Sequence, residues 1–316
     1  MKSQRNQSGR HGNFYSRRPP GSTLLRLFVS FCNLLLLLVP VCLTPSCKEL
    51  ELPFTHPSDE VYVEADTSRF TVRFRVSDAT ADTLRHIGRT DIFVYDADGL
   101  RRLLVSRSYG FLPDSAVFFC PAKAVTVVAV ANSPRDFNTS ALERYDSIEL
   151  LTYRFEEDSP EMPVMSGQKD LAAGESASLR LSPLLARIML GEVSNKLKGY
   201  VRLEDPRIFL ENMNAAAEVL RTEGFHPSET VRTPPVRSLP YDIGIYSQTP
   251  GTELFCYPND SEEATIGTPA TEFVFECEVN GSTQQFRTAL PAIRRNSTVH
   301  VDVTVTGETT FESKIY

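Results

Sequence analysis

Residues Val299-His-Val-Asp-Val-Thr-Val305 alternate apolar and polar without a break. A side-chain period of two sends neighbours to opposite faces, so this segment buries its valines only as a strand. Phe70-Thr-Val-Arg-Phe-Arg-Val76 has the same period, and Glu60-Val-Tyr-Val-Glu-Ala65 precedes it. Asp91–Tyr95 and Leu103–Tyr109 flank Asp96-Ala-Asp-Gly99, and Asn280-Gly281 follows the strand-like Thr271–Val279. Asp-Gly and Asn-Gly between such runs are hairpin signals, because the tight turn needs positive φ. Further strands are expected at Ala116–Cys120, Ala124–Ala131, Ser176–Leu181, Leu185–Val193, Tyr200–Leu203 and Arg207–Leu210. Ala124–Ala131 is apolar on both faces and is expected mid-sheet. Short helices are expected at Ser140–Glu149 and Asn212–Leu220, and long loops over Glu156–Gly174 and Thr222–Pro240. The pattern predicts an all-β fold of two tandem antiparallel β-sandwich domains, 47–182 and 183–316, since a body of 270 residues exceeds the roughly 100–200 of one domain.

Residues 1–46 differ in kind. They carry six basic residues and no acid, and they include the apolar run Leu27–Leu43. The whole chain has 33 Lys+Arg and 40 Asp+Glu, so removing those six bases leaves 27 against 40, a net of −13 from Cys47 onward. A basic, apolar head on an acidic body reads as a secretory leader. The apolar run is barely long enough to span a bilayer and contains Pro40, which favours cleavage over a permanent span. Leu43-Thr-Pro-Ser-Cys47 resembles a bacterial lipobox with its leucine one place early, which makes Cys47 the expected lipid-attachment point. The alternative is an ordinary cleaved signal with an incidental cysteine. Lys48-Glu-Leu-Glu51 resembles the signal that sends Bacteroidota lipoproteins to the outer face of the outer membrane. The acidic body argues against nucleic acid or anionic lipid as the main partner.

Catalytic and cofactor motifs are absent. His56, His86, His226 and His300 stand apart, with no His-Glu-x-x-His, Cys-x-x-Cys, G-x-S-x-G or phosphate-binding glycine loop. No metal, cofactor or enzymatic site is therefore expected. Acidic groups such as Glu156-Glu-Asp158 have no tryptophan platform beside them, because the chain has no Trp. Cys256 and Cys277 lie in neighbouring strand segments and could pair in an oxidising compartment. With Cys120 they make three, which cannot all pair, so free buried thiols fit the count as well.

Several of these segments together resemble the fimbrillin-A-associated anchor proteins of Bacteroidota. They are the lipobox cysteine, Thr90–Gly99 with its D-x-D-G turn, Pro163-Val-Met-Ser-Gly167, Leu179–Leu190, Phe255-Cys-Tyr-Pro-Asn-Asp260 and Ile293-Arg-Arg-Asn-Ser-Thr-Val299 leading into the last alternating strand. Val299 stands where that family usually has an aromatic residue, and the family's tryptophan is missing. The resemblance implies two transthyretin-like sandwiches, no catalysis, and fimbrial pilins as partners reached through β-strand pairing. It implies a lipid-anchored place on the cell outer membrane, within a fimbrium. The absence of arginine between Lys48 and Arg69 fits an anchor that keeps its first strand from an arginine-specific protease. The tail Glu308–Tyr316, with Phe311 and Ile315 on one side, is the expected contact with the next pilin. The alternative reading is a surface adhesin of the same fold that binds a glycan or a host protein.

Overall fold

The computed structural model describes residues 67–77, 87–262 and 266–316, and the leader, Cys47 and Glu60–Ala65 lie outside these. All described residues fall in one compact unit, Val63–Tyr316. The first half contains β1 (Ser68–Val76), β2 (Thr90–Asp96), β3 (Leu103–Tyr109), β4 (Ser115–Cys120), β5 (Ala124–Ala131), α1 (Tyr145–Glu149), β6 (Thr152–Arg154), β7 (Met165–Ala172) and β8 (Ser176–Pro183). The second contains β9 (Ala186–Asn195), β10 (Glu204–Glu211), β11 (Ala216–Glu218), β12 (Arg237–Ser238), β13 (Glu253–Cys256), β14 (Glu272–Val279), β15 (Ser282–Ala289), β16 (Thr298–Gly307) and β17 (Thr310–Ile315). The fold is all-β, as the alternation predicts.

In the first half the strand order is β3-β2-β5-β7-β8-β1-β4. Strands β7 and β8 pair only at Met165–Pro183 and Ser166–Ser182, so the sheet turns there into two layers. Between the layers lie Phe70, Val72 and Phe74 of β1 against Ile92, Val94, Val127 and Ala129. In the second half, β13-β9-β16-β17 faces β12-β10-β14-β15 across a core holding Val301, Val303, Val305, Phe273 and Phe275. A third core joins the halves. Phe93, Tyr95, Val128 and Val130, on the outer side of β2 and β5, pack with Tyr145 and Ile148 of α1 and with Tyr153, Leu184, Ala217, Val219 and Tyr257. Burial of both faces of β5 follows from this third layer.

Both expected hairpins form. Asn280 (φ 53°) and Gly281 (φ 72°) both take positive φ between β14 and β15. In the β2–β3 turn the Asp96 carboxylate accepts from the Asp98 amide at 3.1 Å, and Gly99 has φ 58°.

Four expectations need correction. The sheets are not wholly antiparallel: β1 runs parallel to β8, and β9 runs parallel to β16. Each half inserts its opening strand beside a late one. Asn212–Leu220 is not a helix. The Asn214 side chain bonds Pro258 O and the Ala216 amide, competing with helical pairing, and β11 joins β6. Tyr200–Leu203 is not a strand, since Tyr200 sits at φ 63° and β10 begins at Glu204. The loop expected over Glu156–Gly174 contains β7. That strand escapes the pattern because Gln168, Lys169 and Asp170 all face solvent.

A free sheet edge and a bonded junction

Among the described residues, no group of three His, Cys, Asp or Glu side chains is placed to hold a metal ion. His300 stacks on Tyr316 at 5.2 Å, and His226 lies beside Ser261 Oγ at 3.2 Å. Cys120, Cys256 and Cys277 are all free and buried, so the candidate Cys256–Cys277 bond is not formed. Burial without a stabilising cation pushes the thiols of Cys256 and Cys277 up to about 12, which leaves them unreactive packing groups.

The tail forms an edge. β17 pairs with β16 from Val301↔Ile315 to Val305↔Phe311, and the His300 and Tyr316 backbones exchange both hydrogen bonds. Phe311 and Ile315, expected to meet a partner, are half-buried against their own core, with the Phe311 ring 5.4 Å from Phe286. What β17 leaves unpaired is backbone. In an antiparallel ladder the bonded pairs alternate, so with 300↔316 bonded the amides of Phe311, Ser313 and Ile315 point away from β16. Across that side Ser313 Oγ meets Thr288 Oγ1 of β15 at 2.9 Å, and no backbone bond joins the two strands among the described residues.

The junction between the halves is bonded through motif residues. The Arg295 guanidinium donates to Pro183 O (3.0 Å), Val219 O (3.0 Å), Ser166 O (3.0 Å), Ser166 Oγ (2.9 Å) and Ser182 O. No carboxylate joins this set, and burial lowers the guanidinium pKa to about 10. Neighbouring Asn296 adopts φ 57° and donates to Ser77 Oγ at 2.9 Å. Tyr257 is fully buried, and its hydroxyl donates to Asp158 Oδ2 at 3.1 Å. Asn259, also fully buried, bonds Pro269 O, Thr271 Oγ1 and the Ser261 amide. The Arg295-Asn296 and Tyr257-Pro-Asn259 segments therefore hold the fold together.

Asp158 carries a pH effect. Its carboxylate accepts from the Ser159 and Val164 amides, both at 2.8 Å, yet burial outweighs these bonds and raises its pKa to about 6. A carboxyl whose folded pKa exceeds its unfolded value near 3.8 favours the folded state when protonated. Its contribution is full below pH 4 and is lost as pH rises through 6. The expected gain from pH 7.5 to 4.5, measured as the difference between wild type and Asp158→Asn in paired thermal melts, is on the order of 2 kcal/mol. Equal slopes in the two proteins would refute it.

No family model matches the sequence, and no curated protein sequence matches it. Solved structures do match. A candidate cell adhesion protein from Parabacteroides distasonis superposes with TM-score 0.58 at 15% identity, covering 78% of this chain and 95% of that one. The tip fimbrial protein Mfa3 from Porphyromonas gingivalis, truncated at its C-terminus, gives 0.53 at 12%, covering 79% and 98%. A fimbrilin from Porphyromonas gingivalis W83 gives 0.54 at 10%, covering 78% and 92%. The chain has the fold of these fimbrial and adhesion proteins of Bacteroidota.

Proposed function

We propose that this protein is an outer-membrane surface lipoprotein that serves as the anchor or a minor subunit of a fimbria. A lipid on Cys47 holds it to the membrane, and β17 presents an edge for a pilin strand. The supporting observation is the fold shared with fimbrial subunits over 92% or more of their chains, combined with the outward amides of β17. The residue ranges 47–182 and 183–316 are then its two sandwich domains, tied by Arg295. With more than one acyl chain, membrane attachment is stable rather than marginal.

Strand addition at β17 has a specific test. Ser313→Pro removes an amide that points away from β16 and spares the β16–β17 ladder, and proline is tolerated on edges. Cells carrying it should shed fimbriae while the purified protein melts within about 1 kcal/mol of wild type. Normal fimbrial attachment would rule this edge out.

The adhesin reading is favoured by a different observation. Tyr200, Tyr241, Ile245 and Tyr246 are exposed on two loops placed side by side by the Leu203↔Ile243 bridge. Asn195 ties the loops together through Val201 O and Ile243 O. Aromatic rings with hydrogen-bonding hydroxyls suit a glycan or a host protein. Binding lost on Tyr200→Ala with Tyr246→Ala, while fimbriae stay attached, would support this reading over the anchor.

A further inference from the structure

The outward face of β8-β1-β4 is the opposite of the chain's net charge. β1 presents exposed Arg69, Arg73 and Arg75 beside Thr71, and neither β1, β4 nor β8 contains an acidic residue. None of these three arginines makes an ion pair with a described residue, although ion pairs such as Arg89–Asp91 and Arg207–Glu276 form elsewhere among the described residues. Across the parallel ladder Arg75 faces Arg180, while Arg73 faces Ser178. On the antiparallel side Arg69 lies opposite Phe119, whose ring is 61% exposed. At the rim Arg107 bonds Val117 O at 3.1 Å. The remaining outward residues of these three strands are serine, threonine and valine, so the described part of the face is polar and cationic.

We propose that this face lies against the membrane and binds the anionic phosphate headgroups of the lipid surface. The proposal deepens the anchoring reading and rests on it. β1 is the first strand of the described fold, and Ser68 follows the expected acylation site at Cys47 by 21 residues. A chain of 21 residues reaches at most about 70 Å, which bounds the distance of β1 from the bilayer. Arginine binds phosphate through paired N–H groups, and residues two apart on a strand repeat at about 7 Å, so the row meets a surface of many headgroups. Among its described residues the face has one exposed large apolar side chain, Phe119, in place of the broad apolar centre of a protein interface. The body's net charge of −13 does not forbid contact, because charges beyond about 8 Å are screened at physiological salt while the arginines touch the surface.

The chain has no tryptophan, so Phe119→Trp places a single indole reporter on this face. The full chain with this substitution is mixed with phosphatidylcholine vesicles, with or without phosphatidylglycerol, containing lipid brominated near the headgroup. The expected result is a blue shift and quenching with the anionic vesicles only. Both should fade with added salt and fall by on the order of tenfold or more in Arg69→Gln/Arg73→Gln/Arg75→Gln. A matching reporter at Tyr246→Trp should show neither. The proposal is overturned by no quenching with anionic vesicles, by equal quenching in the triple variant, or by a response to a soluble sulfated polysaccharide without one to vesicles. If the triple variant does not fold, salt decides instead: quenching in the arginine-intact chain that added salt reverses upholds the face, and quenching that salt leaves unchanged overturns it. The mass of the mature N-terminus reports acylation separately. Anionic-dependent quenching in a chain without acyl groups upholds this face while refuting the lipid on Cys47.

Discussion

Arg295→Ala is expected to cost about 3–5 kcal/mol, because it removes several hydrogen bonds from a charged donor, each worth about 1.5–3 kcal/mol. In wild type its guanidinium satisfies Ser166 O, Ser182 O and Pro183 O of the first half and Val219 O of the second. Alanine takes this charged donor from all four carbonyls and leaves an emptied space, although the Ser166 hydroxyl still donates to Val219 O. Because they flank the short β7–β8 ladder and the segment after β11, the loss falls on the joint between layers and between halves. Thermal melts should show a drop of roughly 10 °C, at about 2–4 °C per kcal/mol for a unit of this size. Arg295→Lys should recover less than half of it, since an ammonium cannot reach acceptors on several sides as a planar fork does. A drop under about 2 °C for alanine would show that the network contributes little.

The second large effect is expected at Gly167. Its φ is not in the left-handed region, so the requirement there is space. A Cβ at this position would collide with the carbonyl oxygen of Arg180, and it would also sit 3.0 Å from Leu179 Cδ2. The obstacle is backbone, where β7 crosses β8 at the turn of the sheet, so it cannot swing aside. Gly167→Ala should therefore destabilise by about 2–3 kcal/mol, and Gly167→Val by more. Gly174 has open space at the same test, so Gly174→Ala there meets only the strain of its φ of 79°. A fully stable Gly167→Val would show that β7 and β8 can separate without cost.

The contrast between these residues and the strands explains what can be read from sequence. Strands that bury one face announce themselves, as Val299, Val301, Val303 and Val305 do on β16. Strand β7 does not, because its long middle is solvated and its place is set by pairing with β5. β11 looks helical because Ala215, Ala216 and Ala217 favour helices in isolation, and the extended form is held by pairing with β6, by backbone bonds to Leu151, Phe155 and Glu229, and by the Asn214 side chain. The parallel pairings of β1 with β8 and β9 with β16 leave no local mark at all. The motif segments are legible as a resemblance, but their reason is not. Arg295 and Tyr257 matter for bonds to residues distant in sequence, and Asn259 for closing the loop that follows it. For the candidate site, the tail is recognisable as a strand, whereas its inward Phe311 and outward Ser313 amide depend on register with β16. The cationic face stays hidden because Arg69, Arg73 and Arg75 disappear into a net-acidic composition.

Whether the protein anchors fimbriae is decided by deleting its gene. Cell-attached and released fimbriae would be counted and their lengths measured, with the wild-type gene and a Cys47→Ser form returned to separate strains. The deletion and Cys47→Ser strains should shed long fimbriae into the medium, and the wild-type gene should restore attachment. Fimbriae of normal length that remain on the cells after deletion would contradict it.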